Sequence, residues 1–113
     1  MQTQIDTLLN NIKQDYINWS TGNGSKELSS YCQGVVDNFD DKVEVKHGKK
    51  YIKIVGGVSS GVWGFIVATD NHPKFKKGDI LKAAGYNAPA MNAARGNVFE
   101  DYTVRWTGPL YLN

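Results

Sequence analysis

Two hydrophobic periods divide this chain. From Thr3 to about Ser20 the apolar residues Ile5, Leu8, Leu9, Ile12, Tyr16 and Trp19 recur at offsets of three and four, one stripe of an amphipathic helix. Thr3, with Asp6 three residues on, is placed to cap its start. Thr21-Gly22-Asn23-Gly24 breaks the pattern. Ser25 is placed to cap a second helix, in which Leu28, Tyr31, Cys32, Val35, Val36 and Phe39 keep helical spacing up to Asp40-Asp41. Gly34 in the middle of that helix is read as a point of close packing.

After Asp41 the period drops to two. Val43 and Val45 alternate with charged residues, His47-Gly48 reads as a turn, and Ile52 and Ile54 alternate with Tyr51 and Lys53, which together predict a hairpin with one wet face. Residues 56–61 form a glycine- and serine-rich connection. Val62 to Thr69 is apolar on both faces, with Trp63, Phe65 and Val67 on one and Val62, Ile66 and Ala68 on the other, as a central strand requires. Asp70 to Pro73 turns the chain, and Asp79 to Ala83 returns as a short strand. Pro89 is placed to open a short helix running to about Arg95, with Gly96 beyond its end. Tyr102 to Trp106 is a last alternating strand before a short apolar tail. The expected fold is α+β: an N-terminal helical hairpin packed on a mainly antiparallel sheet of four to five strands, with a short helix near 89–95. We read residues 1–113 as one domain, with 1–41 the hairpin and 42–113 a β-rich half.

Composition narrows the function classes. A formal charge of +2 permits an anionic partner without demanding one, and a module dedicated to duplex DNA is usually more basic. One cysteine excludes an intramolecular disulfide and fits a reducing compartment. The chain has neither a secretory leader pattern nor an apolar run of membrane-spanning length, so no membrane role is expected.

Catalytic sets are thin. His47 and His72 both fall in turn-like segments without a second ligand at useful spacing, and read as solvated turn residues. Cys32 lies on an apolar helix face as inert packing, and Ser59 and Ser60 lack a nucleophile frame. Asp40-Asp41 and Glu100-Asp101 are adjacent in sequence, whereas acid–base work needs carboxyls converging across a cleft. The glycine-rich stretches contain no phosphate-loop motif. The chain is therefore read as non-enzymatic, with no metal and no cofactor.

Basic and aromatic residues give more. Lys46, Lys49, Lys50 and Lys53 cluster on the hairpin, and Lys74, Lys76 and Lys77 on one turn; both clusters also suit edge protection and solvation. The block from Gly78 to Phe99 is unusual in combining small residues with Lys82, Tyr86, Asn87, Asn92, Arg95 and Asn97. Arginine forks onto phosphate, asparagine reads base edges or ribose, and tyrosine stacks under a ring. Asn87 before Ala88-Pro89 and Arg95-Gly96-Asn97 equally suit turn and helix-end chemistry.

The same block resembles a family of small proteins encoded by tailed bacteriophages. The resemblance rests on Val62-Trp63-Gly64-Phe65, Gly78-Asp79-Ile80-Leu81-Lys82, Tyr86, Ala88-Pro89-Ala90 and Ala94-Arg95-Gly96-Asn97-Val98-Phe99. It covers under half the chain and leaves out the helical part. Ala83 stands where many members have proline, and Tyr86 where they have tryptophan. The resemblance implies a phage origin and a place in the host cytoplasm, and assigns no activity. The resulting expectation is a binding protein for a small anionic ligand of nucleotide type, acting as a sponge for a host anti-phage immune signal. Lys82 and Arg95 would hold phosphate, Trp63 or Tyr86 would stack the base, and Asn87, Asn92 and Asn97 would supply hydrogen bonds. Such a site is expected between the subunits of a homo-oligomer. One alternative is a module that engages a host or phage protein through Tyr16, Trp19 or Tyr31; another is single-stranded nucleic-acid binding through the lysine hairpin and Tyr51.

Overall fold

The computed structural model describes residues 2–58, 61–91, 93–100 and 102–109. Helix α1 spans Gln2–Ser20 and α2 spans Ser30–Lys42. Strands β1 (Glu44–His47), β2 (Tyr51–Val55), β3 (Val62–Val67) and β4 (Ile80–Leu81) form an antiparallel sheet in the order β1-β2-β3-β4. Strands β5 (Val104–Arg105) and β6 (Gly108–Pro109) form a separate two-stranded ribbon. The fold is α+β, with the helical hairpin on the sheet. None of the described helices is long and apolar enough to cross a membrane.

The helix stripe behaves as its spacing requires. Ile5, Leu8, Ile12 and Tyr16 are buried, and the first three join Phe39 of α2 and Ile52, Ile54, Ile66 and Ile80 of the sheet in the main core. The ends differ from expectation. Thr3 lies inside α1, where its carbonyl accepts from Thr7 Oγ1, and Asp6 accepts from Gln2 Nε2 instead. The cap of α2 is Ser29: its backbone is extended and its Oγ accepts from the Cys32 amide at 3.1 Å. Ser25 is tied back to the end of α1, its hydroxyl donating to the Thr21 carbonyl, which also takes the Lys26 amide. Residues 25–28 are thereby spent on the loop. A Cβ on Gly34 would meet nothing within 4 Å, so close packing is not what that glycine serves.

One bulge reassigns the central strand. The β2–β3 pairing runs Lys53↔Phe65 and Ile54↔Gly64, then jumps to Val55↔Val62, leaving Trp63 as the extra residue. The jump exchanges Trp63 and Val62 between faces. Trp63 joins the helix-side core, and Val62 packs with Phe65, Val67, Leu81 and Phe75 in a smaller cluster on the opposite face. That opposite face, away from the helices, carries the candidate site.

The expected helix near 89–95 is not formed. Its amides are drawn to the β4 segment instead: Ala90 N donates to Lys82 O, Arg95 N to Ile80 O, and Val98 N to Gly78 O. Isolated bridges join Ala83 to Pro89 and Asp79 to Asn97. The stretch runs beside residues 78–83 as an irregular extended partner, which leaves its amides unable to make helical bonds. Of the predicted strand from Tyr102 to Trp106, only Val104–Arg105 pairs, and it does so in the ribbon.

Candidate functional site

The hairpin turn lies two residues further along than the His47-Gly48 position expected. His47 pairs with Ile52, and Gly48 N bonds Tyr51 O, so Lys49-Lys50 make the turn. This register places Lys46 directly opposite Lys53 on adjacent strands. Like charges facing each other across a ladder destabilise it by roughly 0.2–1 kcal/mol. Glu44, two residues before Lys46 on the same strand, offsets part of that at 3.6 Å. Lys50 adds a third ammonium, 5.7 Å from the centre of the Tyr51 ring.

These residues border an open groove of about 340 Å³ lined by Lys46, His47, Lys50, Tyr51, Lys53, Phe65 and Asn87. The volume falls at the small end of ligand sites, which span about 300–1,000 Å³. Tyr51 is braced edge-on against Phe65, with ring centres 6.0 Å apart. Behind it stands His72, which is buried rather than solvated. His72 Nδ1 accepts from the amides of Lys74 and Phe75, both at 3.0 Å, so its ring proton belongs on Nε2, 2.8 Å from the Tyr51 hydroxyl. That hydroxyl in turn points to Met91 Sδ. Burial raises the Tyr51 phenol above its ordinary value, so Tyr51 stays neutral.

Lys53 is held in place. Its Nζ donates to the Tyr86 carbonyl at 3.0 Å and to Asn87 Oδ1 at 3.1 Å, and lies 3.9 Å from the centre of the Tyr86 ring. An ammonium has three donors, and two are engaged here. Ala84 N and Gly85 N both bond Ala88 O, which closes the loop that presents Tyr86 and Asn87. Lys74 secures the far end of the loop through the Met91 carbonyl.

The structure divides the residues singled out from sequence. Asn87 lines the groove, and exposed Tyr86 stands beside it against the Lys53 ammonium. Lys82 and Arg95 are half-buried and do not line it; Arg95 Nε donates to the Ala93 carbonyl. Trp63 is 5 % exposed and its indole donates to the Arg105 carbonyl at 2.9 Å, which makes it core and removes its ring from any stacking role. Asn97 is also buried and spends its amide internally, donating to Lys77 O and Asp79 Oδ1 and accepting from Phe99 N. Asn92 lies outside the described residues, as do Ser59, Ser60, Asp101 and the tail from 110.

Asp79 completes the buried clasp around Asn97, its second oxygen accepting from Lys76 N. Gly78 between them has φ +90°, and a Cβ there would fall 2.6 Å from the Phe99 ring. Gly78-Asp79 and Asn97 therefore form a turn and its clasp. Cys32 is half-buried rather than packed away. The Ser29 hydroxyl, with a smaller contribution from Tyr16, lowers its thiol below the ordinary range. Lys46, His47, Lys50, Tyr51, Lys53 and Phe65 are among the groove residues the Gly78–Phe99 block did not include. No family model, no curated protein sequence and no solved structure matches the chain.

Proposed function

We propose that the chain is a binding protein that captures a phosphorylated, ring-bearing anion, a nucleotide, in the lysine groove of the sheet face away from the helices. The observation that carries this reading is the Lys46–Lys53 cross-strand pair with Lys50 beside it, a local excess of positive charge that an anion would relieve. Around it stand aromatic surface, from Tyr51 and exposed Tyr86, and the amide of Asn87. In this reading the lysines hold phosphate, Tyr86 or Tyr51 supplies a ring face, and His72 keeps Tyr51 in place. The bacteriophage resemblance makes removal of a host nucleotide signal the role we favour for such capture.

The test is a thermal-shift panel of linear and cyclic nucleotides, with inorganic phosphate and a short single-stranded oligonucleotide alongside. A ligand at a hundredfold excess over its Kd raises stability by about 2.7 kcal/mol. The reading predicts a shift with a nucleotide that is lost in Lys46→Gln/Lys53→Gln. Binding only to the oligonucleotide, falling steeply with salt, would reassign the groove to single strands. No shift with any member would overturn it.

A further inference from the structure

The end of the molecule formed by the α1–α2 loop and the β5–β6 ribbon has the features of an interface. Trp19 is 63 % exposed and Tyr31 78 %, both beside that loop. A single exposed aromatic is ordinary, whereas apolar side chains gathered at one place and rimmed by polar residues mark an interaction site. Trp19 is also rigid. Its ring lies 5.9 Å from that of Tyr16 and 5.1 Å from that of Trp106, and Tyr16 in turn meets Trp106 edge-on at 5.3 Å. A braced aromatic loses little freedom on association, which is the property of an interface anchor.

Trp19 stands as a ridge between two clefts. On one side is a cleft of about 640 Å³ carrying Asp15, Arg105 and Trp106; on the other is a smaller one of about 260 Å³ carrying Lys26, Glu27 and Cys32. Each side bears one charge of each sign. The Asp15–Arg105 pair is loose at 3.6 Å, with Arg105 well exposed, and among the described residues neither Lys26 nor Glu27 makes an ion pair within the chain. A twofold axis lying in the contact plane and passing through Trp19 maps one side onto the other. It lays the Asp15–Arg105 side of one copy on the Lys26–Glu27 side of its mate, twice over. The exposed charges of opposite sign on the two sides, Arg105 and Glu27, are then set toward each other, while Asp15 stays held by the Trp106 amide and the Trp19 ridges meet at the axis. Isologous pairing requires this self-complementarity. The lysine groove, with a single sign of charge, lacks it.

We propose that Trp19 and its two flanking clefts form a twofold interface with a second copy of this chain. The interface shares no residue with the lysine groove, so either can fail without the other. Sedimentation velocity across the micromolar range tests it on the intact chain. The expected result is a concentration-dependent species of twice 12.5 kDa. Trp19→Ala, a change at an exposed site, is expected to weaken it by about tenfold or more. Glu27→Arg is expected to weaken it, and Glu27→Arg/Arg105→Glu to restore it, because the swap re-pairs the charges across the axis. Circular dichroism confirms that each variant is folded. A monomer at every concentration overturns the proposal, whether the surface then receives nothing or another protein. So does a dimer indifferent to Trp19→Ala and to the charge swap.

Discussion

Replacing Asn97 with alanine separates structure from ligand binding in the Arg-Gly-Asn segment. The side chain is 5 % exposed and makes three hydrogen bonds: to Lys77 O and Asp79 Oδ1, each at 3.0 Å, and from Phe99 N at 2.8 Å. The bond to the Asp79 carboxylate is charge-assisted, worth about 1.5–3 kcal/mol, and the other two contribute about 1 kcal/mol each. The alanine variant also leaves Asp79, itself 7 % exposed, with one oxygen short of a donor. Water entering the space recovers part of this, so the expected loss is about 3 kcal/mol. At about 4 °C per kcal/mol for a chain of this size, Tm falls by roughly 12 °C. Asn97→Asp, nearly the same shape, sets a second carboxylate against Asp79 and is expected to cost at least as much. Guanidinium denaturation followed by tryptophan fluorescence measures both. A loss below about 1 kcal/mol for either variant would refute the clasp and return Asn97 to the candidate ligand residues.

Further predictions follow from the same contacts. His72→Ala removes the acceptor of two backbone amides, one of them buried, and is expected to cost about 2 kcal/mol, whereas His72→Asn, which can accept the same amides, is expected to recover more than half; equal losses in urea denaturation would contradict the account. Gly34→Ala places a methyl group in open space in mid-helix and is expected to stabilise by about 1 kcal/mol, read by the same denaturation curve. Burial and contact with Cys32 push the Tyr16 phenol up to about 12 from about 10 unfolded. The folded state then binds the extra proton between these values, so stability falls as pH rises from 10 to 12, by about 2.7 kcal/mol at most. Phenolate absorbance, with one tyrosine titrating only on alkaline unfolding, checks it.

The α+β class was legible because two periodicities occupy separate stretches of the chain, and Ile5, Leu8 and Ile12 bury as their spacing requires. What local pattern could not show was where backbone amides go over long range. Pro89 suits a helix start by itself, yet the amides beyond it find better partners on the 78–82 strand segment. The bulge at Trp63 moved a ring that alternation grouped with Phe65 and Val67 to the opposite, helix-side core. In the groove, the position of the turn decided the outcome. A two-residue turn at His47-Gly48 pairs Lys46 with Lys49, whereas the observed loop pairs it with Lys53. Lys53 in turn reaches Tyr86 and Asn87, more than thirty positions away, a contact that no local spacing encodes. Of the seven residues first singled out, Tyr86 and Asn87 reached this surface; Trp63 and Asn97 were drawn inward, by size and by amide chemistry.

The measurement that tests the central claim most directly is Lys46→Gln, assayed for both stability and nucleotide affinity by denaturation and calorimetry. If the Lys46–Lys53 pair is tolerated for the sake of an anion, removing one charge leaves the unliganded protein as stable as before, or more stable by up to about 0.5 kcal/mol. Affinity for the best nucleotide of the panel falls by about tenfold, the equivalent of 1.4 kcal/mol. A variant that is clearly less stable, or that binds as tightly as the parent, contradicts the account.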